Sequence, residues 1–482
     1  MRKKTDLPQF VSSGSLVLLC LLLMMIAFGC EKKAEGVSSK GKTEGLAFNL
    51  NEVSVFELDE RLRREFVRGQ RGECSEQTGE VVKVYPAFKS DKPLYGSVPF
   101  AREYGDKNSG VQYHFALDES AGTGKGYDRL YFDLDRDVDL TNEKPLLPWK
   151  DPPAGASLSY SSIKQQVCFN CLSIDLDFGS TGKRPLEIMP RLLVSDSGYT
   201  SMTFVTTKAH KGQIELADQR YDVILGHDSS IGGWFDQPST GLHLIPEGSR
   251  RMPGWWGSDQ LNAIHKIGGT YYCFSATPAG DKLIVRPYDR DLGRFEVGRG
   301  LRDIQKLEAR GSLRSKDAGI AVGGEMEHGW PKYAQRCQVP VGDYLPRFLR
   351  VKMGRLSILI SHNYHSDGKP RDRGDRPYVY GIKIRKDEPF IFDFSNKPEV
   401  MFASPAKGQR VKLGEELTVK AILTDPKLDI MIRDLEDTTR KHREIGPDGK
   451  PRPYETNVSL DPNVVITRAD GEKVAEGVMP FG

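Results

Sequence analysis

Four aspartates alternate in the stretch YDRLYFDLDRDVDLTNEK, Tyr127–Lys144: Asp133, Asp135, Asp137 and Asp139, with Glu143 just beyond them. Alternate carboxylates on a tight turn are the donor set of a calcium site, because Ca2+ takes about six to eight oxygens from a flexible loop. Counted from Asp133, positions 1, 3, 5 and 7 are all aspartate, which meets the charge demand of an EF-hand loop. Three departures exclude the EF-hand itself. Position 6 is Val138 where that turn needs glycine, and a β-branched residue at positive φ is an outlier. The closing acid, Glu143, stands at position 11 instead of 12, and a strand-like RLYF precedes the loop instead of a helix. Two readings stay open: an irregular calcium loop between strands, or a solvated acidic turn balanced by Arg129 and Arg136. Carboxylates this close repel unless something positive compensates them.

Other residues invite chemistry less strongly. Cys168 and Cys171 form a CxxC, CFNC, followed by the strand-like LSIDLDFG instead of a helix whose dipole would activate a thiol. The expectation is a disulfide, within the motif or to another cysteine, ahead of redox catalysis or zinc. SHNYHSD offers His362, His365 and Asp367 as an alternative metal site, but no glutamate base accompanies them as in HExxH. Trp234, Trp255 and Trp256 could stack on sugars if exposed, although burial in a core is the commoner fate of such rings. A Gly-rich phosphate loop, HExxH and a G-x-S-x-G elbow are all absent. Catalysis is therefore left open, with the balance against an enzyme.

The elements that must carry these residues read as strands. Alternating or β-branched runs such as GVQYHFAL, DRLYFDL, GQIELADQRYDVILG and FLRVKMGRLSILISHNY recur between turn signals. Helical period occurs in NEVSVFELDERLRREFVRG and, as a second candidate, in PKLDIMIRDLEDTTRK. The expected fold is mainly β: several small β-sandwich or barrel modules in series, with few short helices. Breaks such as PWKDPPAG divide a β-rich module at 46–153, carrying the Asp-rich loop, from a second at 154–298 that can itself split in two. A third, 299–394, holds the turn VPVGDYLPRFLRV and is similar to transthyretin-like sandwiches. The last, 395–482, is similar to an immunoglobulin-like sandwich. Its final hairpin leaves an edge that one more strand would cover, so the domain is expected to be small or its chain shortened.

The N-terminus reads as an address. Arg2, Lys3 and Lys4 precede 13 uncharged apolar residues, Leu16–Phe28, too short to span a bilayer and right for a signal peptide. AFGC follows and resembles a bacterial lipoprotein signal: residues 1–29 would be removed, Cys30 lipidated, and residues 30–45 would form a flexible tether. Seven cysteines fit an exported chain that can oxidise some of them. With 69 basic and 66 acidic residues spread evenly, there is no basic patch for nucleic acid.

GYDRLYFDLDRDVDLTNE, GQIELADQRYDVILGHDSSIGGWFD and GEKVAEGVMPFG resemble exported lipoproteins of planctomycete-type bacteria with Asp-rich turns between β-strands. That resemblance implies an envelope location and β-rich modules, and no reaction. The expectation is a lipid-anchored protein of the bacterial cell envelope, structural or ligand-binding, with calcium as its one cofactor. Its partners would be the membrane, through the lipid, and a cell-wall or extracellular polysaccharide. The alternatives are an exported metal-dependent hydrolase and a polysaccharide-binding protein.

Overall fold

The computed structural model describes residues 45–101, 110–123, 126–158, 163–177, 182–196, 198–228, 230–249, 260–298, 307–327, 330–369, 377–392, 398–405, 408–410, 412, 415–445, 451 and 455–479. Cys30, Trp255 and Trp256 lie outside them, as do the expected signal peptide at 1–29 and all but the last residue of the expected tether at 30–45. Gly45–Gly482 forms one compact unit. It is mainly β, with several sheets, and a single α-helix, Glu60–Phe66, occurs among the described residues. No described helix is long and apolar enough to cross a membrane.

The Asp-rich stretch hangs from an eight-stranded sheet. Its edge strand, Arg129–Phe132, pairs antiparallel with Val111–Asp118, which pairs with Leu94–Phe100 and then Gln70–Ser75. The sheet continues through Thr200–Thr206, Lys183–Ser195 and Ile163–Cys168, so it takes strands from both sides of the break expected at residue 153. Alternation in these strands sends Phe115, Phe132 and Phe204 into one core, with the Phe132 and Phe204 ring centroids 5.7 Å apart. The other face buries Ala116 and Tyr131 beneath Val82 and Leu140. Gly96 is required here: a Cβ would meet the Phe115 ring and the Glu73 carbonyl at 2.2 Å each.

A four-stranded sheet joins Asn51–Ser54 to Lys208–Leu216, Gln219–Gly226 and Gly241–Pro246. The largest sheet has 13 strands and runs from Leu46–Asn49 to Glu399–Ser404. With a three-stranded sheet it encloses a core containing Phe295, Val339, Leu349, Ile360 and Ile432. The expected Pro-x-Gly-x-Tyr turn is present: Tyr344 is buried and its hydroxyl donates to the Pro340 carbonyl at 3.0 Å.

Two helical expectations resolve differently. In the first, Asp59 caps Glu60–Phe66 through the Leu62 N–H (3.2 Å), but the residues before it form strand Asn51–Ser54 and one 3-10 turn. The second was wrong. Ile430–His442 is a strand hydrogen-bonded on both sides, to Leu356–Ser361 and Lys420–Asp425. The partners on both sides satisfy its backbone and override the helical spacing. This pairing also continues the large sheet across the boundary expected at 394/395.

Candidate metal centre

The ladder that joins Arg129–Phe132 to Val111–Asp118 runs one residue further, with the Asp133 N–H donating to the His114 carbonyl (2.9 Å). This fixes Asp133 at the strand end with its side chain fully buried. The chain then turns. Asp137 N–H donates to Asp135 (3.2 Å), Asp139 N–H to Asp137 (2.8 Å), and Thr141 N–H and Oγ1 to Asp139 (2.8 and 2.6 Å). Asn142 Nδ2 reaches the second oxygen of Asp137 at 2.9 Å. The turn is sewn to the preceding segment by Lys83 N–H to the Val138 carbonyl (2.9 Å) and Leu140 N–H to the Val84 carbonyl (3.0 Å). Leu140 anchors it as a fully buried side chain.

Three of the five expected ligands converge. One carboxylate oxygen each from Asp133, Asp135 and Asp137 lie within 4.8 Å of one another. Asp139 stands apart, its carboxyl held below the usual range by its hydrogen bonds to Thr141. Glu143 folds back to accept the Leu134 N–H at 2.7 Å and so closes the loop as a cap. Burial raises its pKa, and the charges of Asp135 and Asp133 raise it further.

Asp133 differs from the other buried acids of this region. Asp118 accepts the N–H groups of Lys89 and Ser90, at 3.1 and 2.8 Å. Glu119 accepts the Gly126 N–H at 2.6 Å. Neither oxygen of Asp133 has a partner in normal hydrogen-bond geometry. The amides of Val138 and Arg136 lie close enough to favour its anion, but burial outweighs them and raises its pKa, and Asp135 and Asp137 push the same way. A buried anion facing two more carboxylates is costly unless a cation compensates it. The donors are all carboxylate oxygens, which suits a hard divalent ion such as Ca2+ and not a soft metal.

Val138 has φ 63° and Arg136 φ 62°, both in the left-handed region. The argument that valine would refuse the turn at position 6 fails: the loop forms around it and stores strain there. Val138→Gly is expected to stabilise the fold by about 1 kcal/mol, relief of strain outweighing glycine's entropy. Urea denaturation of the two proteins measures it.

The remaining candidates are not brought together. His362 Nδ1 lies 3.0 Å from the Arg347 carbonyl, and Asp367 accepts the Lys369 N–H (3.2 Å). His365 is buried against Asp429, Nδ1 to Oδ2 2.9 Å, and Asp429 also accepts the Ser366 N–H and hydroxyl (2.9 and 2.8 Å). Asp429 is far away in sequence, so no local spacing could have found it. Trp234 is partly buried, with the Arg184 guanidinium 5.1 Å from its ring centroid, on the aromatic surface a sugar would need.

Cys168 and Cys171 are free thiols, as are Cys74, Cys273 and Cys337, so the expected disulfide is not formed. Cys168 points into the core beneath the helix, its Sγ 3.8 Å from the Ala156 carbonyl. Burial pushes Cys74 and Cys171 up to about 11, opposite to the activation a redox site needs. At pH 8, alkylation of these two thiols should run about a hundredfold slower in the native protein than in urea, by their thiolate fractions. A time course with iodoacetamide and mass spectrometry checks this.

Comparison with protein-family models, curated proteins and solved structures finds no match.

Proposed function

We propose that this chain is an exported, lipid-anchored protein of the bacterial cell envelope, with a structural or ligand-binding role, stabilised by one calcium ion at Asp133, Asp135 and Asp137. The observation that carries the calcium reading is the buried Asp133 carboxylate, lacking a well-formed hydrogen bond and facing two further carboxylates. The anchor and the address rest on the N-terminal residues: a basic start, a short apolar core and AFGC ending in Cys30. A polysaccharide partner would have to rest on Trp255 and Trp256, since Trp234 already faces Arg184.

Metal analysis of the purified protein together with thermal melts tests the calcium reading. Calcium should raise the melting temperature over chelator, magnesium should do so far less, and Asp135→Ala should abolish the difference. An unshifted melt sinks the idea. Because burial raises Asp133, protons compete for the site, so calcium affinity should fall as the pH is lowered. Detergent partitioning that Cys30→Ser eliminates tests the anchor separately.

A further inference from the structure

A cavity of about 540 Å3 opens near the C-terminal end of the chain, between strands Glu399–Ser404, Lys420–Asp425 and Ile430–His442 and the hairpin Asn463–Thr467/Lys473–Val478. Its volume falls inside the roughly 300–1,000 Å3 span of small-molecule sites. Phe402, Ile422, Met431, Leu460 and Val464 supply apolar wall. Phe402 is 60% exposed and Val400 beside it 67%, a cost that no neighbouring element among the described residues removes.

The charge of this cavity has one sign. Among the described residues that line it, Lys420 and Arg433 are basic and none is acidic. Arg433 sits at a β-bulge: Ile432 opposes Ile360 and Asp434 opposes Leu359, leaving Arg433 as the extra residue. Bulges re-aim side chains, often beside binding sites. Its Nε is buried without a hydrogen-bond partner, and its guanidinium lies 5.7 Å from the Tyr364 ring centroid. An apolar cavity that also presents the buried Arg433 Nε–H and a lysine complements a molecule with a long apolar body and an anionic head.

From this geometry we infer that the cavity binds a long-chain carboxylate, a fatty-acid-type amphiphile, with its chain among Phe402, Met431 and Val464 and its head on Arg433. The site needs neither the calcium loop nor the N-terminal anchor. Its failure and theirs are therefore read separately.

The test uses the compact unit Gly45–Gly482 and displacement of the fluorescent fatty acid cis-parinaric acid by palmitate below its micellar concentration. Palmitate should displace the probe. Myristate should bind about fifteenfold more weakly, since each methylene lost weakens binding about fourfold. Arg433→Met should weaken palmitate at least tenfold, by loss of a charge-assisted hydrogen bond, and leave hexadecanol unchanged. Val464→Trp, with its fold checked by circular dichroism, should block both ligands. The wild-type chain-length series needs no variant and stands if that protein misfolds. Absence of displacement, equal affinity for the two acids, or an unchanged palmitate affinity in Arg433→Met overturns the inference. A concentration-dependent dimer that binds no palmitate and is dissolved by Phe402→Asp also overturns it, assigning the groove to a second copy.

Discussion

Lowering the pH from 7.5 to 4 is expected to remove about 3 kcal/mol of folding stability through one residue, His227. The ring is almost fully buried and stacks on Phe235, centroids 5.0 Å apart and planes within 9°. Its Nε2 lies 3.0 Å from the Gly233 carbonyl, which can only accept, so Nε2 carries the proton. Nδ1 is buried with no partner among the described residues, so protonation would place a charge and an unmatched donor there. Burial pushes the imidazole down to about 4, outweighing the hydrogen bond to Gly233 and the charge of Asp228 that oppose it, while Arg184 and His210 lower it further. The unfolded chain takes up its proton near pH 6.5, the folded chain only near 4. Stability is therefore fully present above pH 6.5 and lost as the pH falls between the two values. The gap between 6.5 and 4 converts to about 3 kcal/mol at 1.36 kcal/mol per pH unit.

His210 adds a loss of the same sign. Burial lowers it, Arg184 and Lys208 lower it further, and Glu52 and Asp281 oppose. Asp133 works in the opposite direction, because its raised carboxyl favours the protonated fold at low pH. The quantity to read is thus the difference between wild type and His227→Phe, in which Asp133 cancels. Urea denaturation from pH 7.5 to 4 should show the variant less stable at neutral pH, having lost the Gly233 contact, yet with a much flatter pH dependence. Parallel profiles would move the acid sensitivity elsewhere.

The mainly β fold was legible because alternation is local: strands such as Val111–Asp118 carry their own period. How the strands combine was not. Gln70–Ser75 and Thr200–Thr206 are far apart in sequence yet adjacent in one sheet, and no linker composition announces that pairing. The Asp ladder could be read as a charge pattern, and three of its five acids do meet. What separates Asp133 from the rest is invisible to spacing: it is the residue still inside the ladder, held by the His114 carbonyl, while its followers turn into solvent. The buried imidazoles were missed for a related reason. Nothing in the run GHDSS marks His227 as special, because its significance lies in the Phe235 ring and the Gly233 carbonyl that wrap it.

Asp133→Asn should reverse the sign of its effect with calcium. In chelator the wild type holds a buried anion beside Asp135 and Asp137, so removing that charge while keeping the side-chain shape should stabilise the fold by about 1 kcal/mol. With calcium at a hundredfold excess over its dissociation constant, the bound ion stabilises the wild type by about 2.7 kcal/mol. The asparagine protein loses most of that gain, because a neutral amide replaces one of three converging carboxylates. The variant should therefore melt above wild type in chelator and below it in calcium. The control is Asp139→Asn, at an acid outside the converging group, which should shift the melt by a similar amount in both conditions. A merely structural role for Asp133 predicts the same sign with and without the ion. The crossing of the two melts therefore separates a calcium loop from an acidic turn.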